Sequence, residues 1–458
     1  MSTWKTSFAV LLLGAGVVFA AQQTPVTGPT IIRGATLING TGRPALRNAA
    51  ILIDGGRIRE IGPQGDIKTP ARARIIDARG KWIIPGLIDA HVHFFQSGGL
   101  YTRPDVIDLR ARRTYEQEIE WIKERLPFTF DRYLLSGITG VVDVGGPLWN
   151  YEVRDIASRT PKAPRIAVAG PLVSTYVPPN LQVTDPPIIL ATSPTHAREL
   201  VRRQLERKPD LIKIWFIHRD GDNLEQQVEI VAAAIEESKS KGVRVAVHAT
   251  QLATAKAAVR AGADVLVHSI TDQLVDNEFT ALAKSRDILY MTTLVVSEGY
   301  REVLNQEVQL SDIEQRLGDP EVIASWSELA RIPPTEIPGG LQRRPAPAPR
   351  PFAYNNLMLL ETAGVRIVGA TDAGNIGTLH GPALHREFEL MVQAGMRPMD
   401  IIVSATRNAA AVMGRQHEIG TLERGKFADL VILDADPLTN ILNTRKIFKV
   451  MKAGEFVP

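Results

Sequence analysis

Two histidines one residue apart, His91 and His93, end the run Gly86-Leu87-Ile88-Asp89-Ala90-His91-Val92-His93. Ile83 and Ile84 lead into it, so it reads as a buried strand with two imidazoles at its end. Side chains alternate along a strand, so His91 and His93 face one way while Val92 faces the other. Two imidazoles on one face can grip a metal ion from one side. Alone, the pair reads equally well as two polar residues at a strand end. Yet polar residues recur at the ends of later apolar runs: Lys213, His248, His268 and Asp372. Each alone has an ordinary explanation as a satisfied core histidine, an ion-pair partner or a turn cap. Six such accidents at strand ends are harder to accept than one site.

Four neutral imidazoles and a carboxylate suit two divalent ions, zinc above all. The chain has no cysteine, so nitrogen and oxygen must do the holding and disulfides are excluded. A lysine among ligands makes sense if Lys213 adds carbon dioxide to its amine. The N6-carboxylated side chain is then an anion that bridges both ions. The alternative is an unmodified Lys213 beside a single ion. Two bridged ions acidify the water between them and polarise a substrate carbonyl. Asp372 would be both a ligand and the catalytic residue that carries the water proton to the leaving group.

These residues need a frame. Apolar strand-like runs alternate with helical patterns, the mark of βα units and a parallel sheet. Eight runs qualify: one ending at His91–His93, then 138–144, 165–169, 211–216, 243–248, 265–268, 288–295 and 366–372. The fold class is α/β. Eight units predict a (β/α)8 barrel with its site at the C-terminal strand ends. Short alternating strands at 31–37, 50–58 and 74–77 precede it, with Asp54-Gly55-Gly56 as a hairpin turn. Similar strands at 428–433 and 447–451 follow it, so both chain ends are expected to build one small β domain. Residues 331–352 are dense in proline. They predict an extended lid or pocket wall, or a surface insertion.

The whole chain sets further bounds. Its 458 residues are 44% apolar, which predicts more than one domain. Its 53 basic and 50 acidic residues nearly cancel, which argues against nucleic acid as a partner. Lys5, the apolar run 8–19 and Ala20-Ala21 predict a secretory signal at 1–21. The run is shorter than the ~20 residues of a spanning helix. Export to a periplasm or the outside is therefore expected, with no membrane span after cleavage.

The pattern resembles the amidohydrolase superfamily of metal-dependent hydrolases. The resemblance rests on 86–93, Ile212-Lys213-Ile214, Val247-His248-Ala249, Val267-His268 and Gly369-Ala370-Thr371-Asp372. It continues in 405–410, Ile419-Gly420-Thr421-Leu422 and 425–430. It implies a barrel with a β-sandwich side domain, divided as 22–84, a barrel over 85–409, and 410–458. It implies two metals. His91, His93 and Asp372 would hold the more buried one, His248 and His268 the other, with carboxylated Lys213 between them. The closest subgroup is the imidazolonepropionase-like and prolidase-like amidases. The bridging lysine favours hydrolysis over the deamination carried out by mononuclear members.

The expected function is cleavage of an amide bond in a dipeptide or N-acyl amino acid. The alternatives are a cyclic amide or imidazolone-like ring, an ester or lactone, and a non-catalytic binding protein. The last predicts a broken ligand set, and all six positions are filled. Trp215, His218, His380 and Tyr176, with Trp149, are candidate substrate contacts, against packing or solvation as the plain reading of each. His196, His385, Glu387 and His417 are not expected to be ligands, and no arginine stands out to hold a substrate carboxylate. The partner is a small molecule, and a homo-oligomer is compatible with the sequence.

Overall fold

The computed structural model describes residues 28–338, 341 and 351–457. The expected signal at 1–21 and half of the proline-rich stretch 331–352 lie outside the described residues. Among the described residues, no helix is long and apolar enough to cross a membrane.

Eight parallel strands close a barrel. They are Leu87–Val92, Ile138–Asp143, Arg165–Val168, Leu211–Trp215, Arg244–His248, Val265–Val267, Leu289–Met291 and Arg366–Val368. Strands one to three form one ladder. Strand three resumes after Pro171 as Leu172–Ser174, which pairs with strand four. Strands four to eight then pair in chain order. The end of strand eight closes on strand one: Asp372 N donates to His91 O at 2.8 Å and His93 N to Ala373 O at 2.8 Å.

Alternation sorts the strand residues. Leu211, Ala246, Val265, Leu289 and Val368 fill the barrel interior. Ile212, Val245, Leu266, Tyr290 and Ile367 pack outward in the main core. The parity that puts Leu211 inside also turns Lys213 and Trp215 inward. Strand one breaks this regularity. Ile88 and Ala90 belong to the inner cluster while Val92 belongs to the outer one. Register shifts fall between Leu87 and Ile88 and between Asp89 and Val92. Bulges of this kind re-aim side chains beside active sites, and here they turn both histidines inward.

The seventh predicted strand ends early. It stops at Met291, and Leu294–Asn305 is a helix. Thr293 takes a left-handed conformation (φ 45). Glu387, from helix Ala383–Ala394, accepts from Leu294 N at 3.0 Å and Val295 N at 2.7 Å. A distant carboxylate thus starts a helix where local apolar character reads as strand.

Both chain ends build the small domain. Its eight strands form one hydrogen-bonded set in which Trp82–Pro85 links the N-terminal strands to Leu430–Leu433. Leu46–Asp54 and Arg57–Pro63 make the expected hairpin around Gly55 and Gly56 (φ 57 and 75).

Candidate metal centre and its cavity

The inward polar residues meet at the C-terminal end of the barrel. His91 Nε2 lies 3.3 Å from His93 Nε2. Asp372 Oδ1 lies 3.3 Å from His91 Nε2 and 3.2 Å from His93 Nε2. A point equidistant from three atoms so spaced is about 1.9 Å from each, close to the 2.0–2.2 Å of zinc–nitrogen and zinc–oxygen bonds. His268 Nε2 is 3.9 Å from Asp372 Oδ2, and the His268 and His248 rings are 4.5 Å apart. Lys213, 1% exposed, shares their cavity. The structure therefore brings all six predicted ligands to one place.

Electrostatics favour a cation there. Burial holds His91 well below its ordinary value and His268 at about 3, so both are neutral. Burial works to raise Asp372, but attraction to positive charge on the neighbouring His91, His93 and His268 outweighs it and holds the carboxyl well below its ordinary value. The short histidine–aspartate contacts therefore mark a pocket that calls for positive charge, whether a proton or a metal ion. Asp372 Oδ1 is buried without a hydrogen-bond partner among the described residues. A divalent ion satisfies such a donor set. Burial also lowers Lys213 to about 7, against the pull of Asp372.

The histidines are held from behind. His93 Nδ1 meets Gly145 O at 2.6 Å and His268 Nδ1 meets Thr293 Oγ1 at 2.6 Å, leaving each Nε2 to face the centre. Three wholly buried carboxylates brace the segments around them. Asp89 accepts from Thr371 Oγ1 at 2.6 Å, beside Asp372. Asp143 accepts from Gly145 N at 2.9 Å. Glu387 accepts from Thr292 Oγ1 at 2.5 Å. Burial raises Asp89 and Asp143 to about 7. His268 and Asp372 both have positive φ (74 and 61). Backbone strain of this kind gathers where surroundings over-determine a functional geometry.

A cavity of ≈ 700 Å³ opens over the centre. Trp215 lines it. Other suggested substrate contacts lie elsewhere. His380 packs on Phe94 with rings 5.5 Å apart. Its nitrogens meet Tyr133 Oη at 2.7 Å and Gln96 O at 2.8 Å. His218 Nδ1 is held by Gln227 at 2.9 Å. Tyr176 lies against Trp215 and under Arg219, and Trp149 is buried. None of these four is among the cavity-lining residues. His385 is buried between Ser136 O and Thr444.

Sequence reasoning missed Arg103, Tyr300 and Asn375, which line the cavity beside Asp372. Arg103 Nη1 donates to Tyr300 Oη at 3.0 Å and also to Asn375 Oδ1. Asn375 Nδ2 donates to Asp372 O at 3.0 Å. Arg103 sits in a loop without periodicity, so only its arginine character marks it in the sequence.

Known proteins resemble this chain over most of its length. The amidohydrolase family model matches residues 82–457. An imidazolonepropionase of Geobacillus kaustophilus (strain HTA426) is 25% identical over 445 residues, covering 90% of each chain. One of Symbiobacterium thermophilum is 23% identical, covering 98% of this chain and 97% of its own. The crystal structure of a Xaa-Pro dipeptidase with methionine bound in its active site superposes with a TM-score of 0.71. It is 26% identical and covers 94% of this chain and 100% of that one. Phenylurea hydrolase B, at 22% identity and TM-score 0.71, covers 94% of this chain and 97% of its own, and shares the fold. With the matched region spanning the barrel, its inward polar residues and the C-terminal strands, this chain belongs to the amidohydrolase family of metal-dependent hydrolases acting on carbon–nitrogen bonds, in its imidazolonepropionase- and prolidase-like part.

Proposed function

We propose that this chain cleaves the amide bond of a molecule the size of a dipeptide or N-acyl amino acid at a two-metal centre. The observation that carries this is the convergence of His91, His93 and Asp372 within 3.2–3.3 Å, with Lys213 and the His248–His268 pair on the same cavity. His91, His93 and Asp372 would hold one ion and His248 and His268 the other, with N6-carboxylated Lys213 between them. Zinc suits this set. A pKa near 7 leaves much of Lys213 as the free amine that adds carbon dioxide. Two divalent ions supply an acidified water and a polarised carbonyl. Asp372, ionised and aimed at the centre, takes the water proton and passes it to the departing amine. The ≈ 700 Å³ cavity matches a substrate of that size.

The test is elemental analysis of protein purified without chelators, beside Lys213→Ala and Asp372→Asn. About two metals per chain, fewer in Lys213→Ala, and loss of amide turnover in Asp372→Asn are expected. One metal unaffected by the lysine change, or full turnover in a folded Asp372→Asn, overturns the reading. A second reading is opening of a cyclic amide. It is favoured by the imidazolonepropionases that match over nearly the full length, and a five-membered ring amide in the same assay separates the two.

A further inference from the structure

The cavity has a mixed lining. Phe95, Val106, Leu172, Leu181, Ile188 and Trp215 give it apolar surface. Thr250, Thr271 and Ser297 add uncharged hydroxyls. Among the described lining residues, Arg103 is the one charged group outside the set gathered at Asp372.

Its charge is already matched. Arg103 Nε donates to Asp105 Oδ1 at 2.8 Å and Nη2 to Asp105 Oδ2 at 2.6 Å, a bidentate pair. Nη1 is taken by Tyr300 and Asn375. The pair is shielded, with side-chain exposure of 18% for Arg103 and 9% for Asp105. Burial acts against both charges. Each partner outweighs it for the other, so the arginine is held above and the aspartate below its ordinary value. A substrate carboxylate that takes the Nε and Nη2 side of the guanidinium displaces Asp105 and leaves it buried without its partner, which is strongly unfavourable, and the Nη1 side is already filled by Tyr300 and Asn375. A carboxylate that stays off the fork finds no other cation among the described lining residues outside the set gathered at Asp372, and against Phe95, Leu172 or Ile188 it loses its water.

We infer that the cavity selects amides bearing an apolar group and no carboxylate, because Asp105 closes the Arg103 fork. This rests on the amidase reading for the bond that is cut. It keeps the size of a dipeptide or N-acyl amino acid and excludes the free carboxylate that those molecules carry, leaving their end-blocked, uncharged counterparts.

A matched pair of anilides tests it: N-phenylacetyl-4-aminobenzamide and N-phenylacetyl-4-aminobenzoate. They share size and differ by one charge. The metal-loaded protein should favour the benzamide by at least about tenfold in kcat/KM. Asp105→Asn, which frees part of the fork, should shrink that ratio by a similar factor, chiefly by raising benzoate turnover. Preference of the parent for the benzoate overturns the inference without any variant. So does a ratio that a folded Asp105→Asn leaves unchanged. Calorimetric binding of the same two compounds separates the two readings. If both bind, benzamide more tightly, and neither is cut, the amidase reading fails and charge selection stands. If both are cut and the benzoate wins, charge selection fails and the amidase reading stands. Binding of neither overturns both.

Discussion

His268 and Asp372 illustrate what the site demands of single residues. Each leaves its strand with a positive φ, a conformation that costs a non-glycine residue on the order of 1–3 kcal/mol. Something must hold them, and buried carboxylates behind the centre do so. Glu387 lies 95 residues beyond the threonine it holds. It fixes Thr292 and the start of helix Leu294–Asn305, and Thr293 in turn holds His268 Nδ1. Glu387→Gln keeps the size but sets an amide NH2 against a row of donors. It should weaken metal retention by about 10–100-fold with far-UV circular dichroism unchanged. Chelator competition measures this, and an unaltered metal affinity would show that Thr293 holds His268 unaided. The six inward residues were legible because polar side chains at the ends of apolar runs have few other reasons to be there. Asp143, Glu387 and Arg103 were not, since their partners lie far along the chain or in irregular loops. His380 was misplaced for a related reason. Its nearness to Asp372 in sequence says nothing about the turn between them, which sends the ring out onto Phe94.

Elements were legible where their pattern is local. The βα alternation and the two-glycine hairpin follow from period and turn chemistry. The strand-one bulge and the early end of strand seven do not, because pairing and capping from elsewhere decide them. Helix Ala383–Ala394 shows how one element serves two sides. It carries Glu387 toward the centre. It also carries His385 into a buried slot between Ser136 O, at 2.9 Å, and Thr444 Oγ1, at 3.0 Å, tying the end of helix Tyr115–Leu135 to the C-terminal segment. Burial pushes His385 down from 6.5 to about 4. The folded chain therefore keeps it neutral at pH values where an unfolded histidine is protonated. The unfolded state binds the extra proton, so stability falls as pH drops from about 6.5 to about 4. The loss is on the order of 3 kcal/mol when complete. Denaturant unfolding at a series of pH values should show this slope in the parent and a shallower one in His385→Gln. Equal slopes would assign the acid sensitivity to other groups.

At the scale of the whole molecule, the barrel and the small domain are joined at the end opposite the cavity. Asp429, on the segment entering strand Leu430–Leu433, receives Arg165 of barrel strand three through Nε at 2.9 Å and Nη2 at 3.2 Å. It also accepts from Ala453 N at 2.6 Å, and its own carbonyl accepts from Gly86 N at 2.9 Å just before strand one. Phe427 lies between the Arg57 and Arg165 guanidiniums, 3.8 and 4.2 Å from its centroid. Side-chain exposure is 14% for Arg165 and 4% for Asp429, so removing one partner leaves a buried charge unpaired. Asp429→Ala should cost about 3–5 kcal/mol and lower Tm visibly. Its effect on chemistry should be small, because catalytic groups sit at the C-terminal strand ends while this contact serves stability at the other end. Comparing Tm with kcat per folded molecule separates the two. A lowered Tm with unchanged kcat is the expected pair. A fall in kcat at full metal loading would mean that the small domain sets the geometry of the centre through strand one, by way of Gly86.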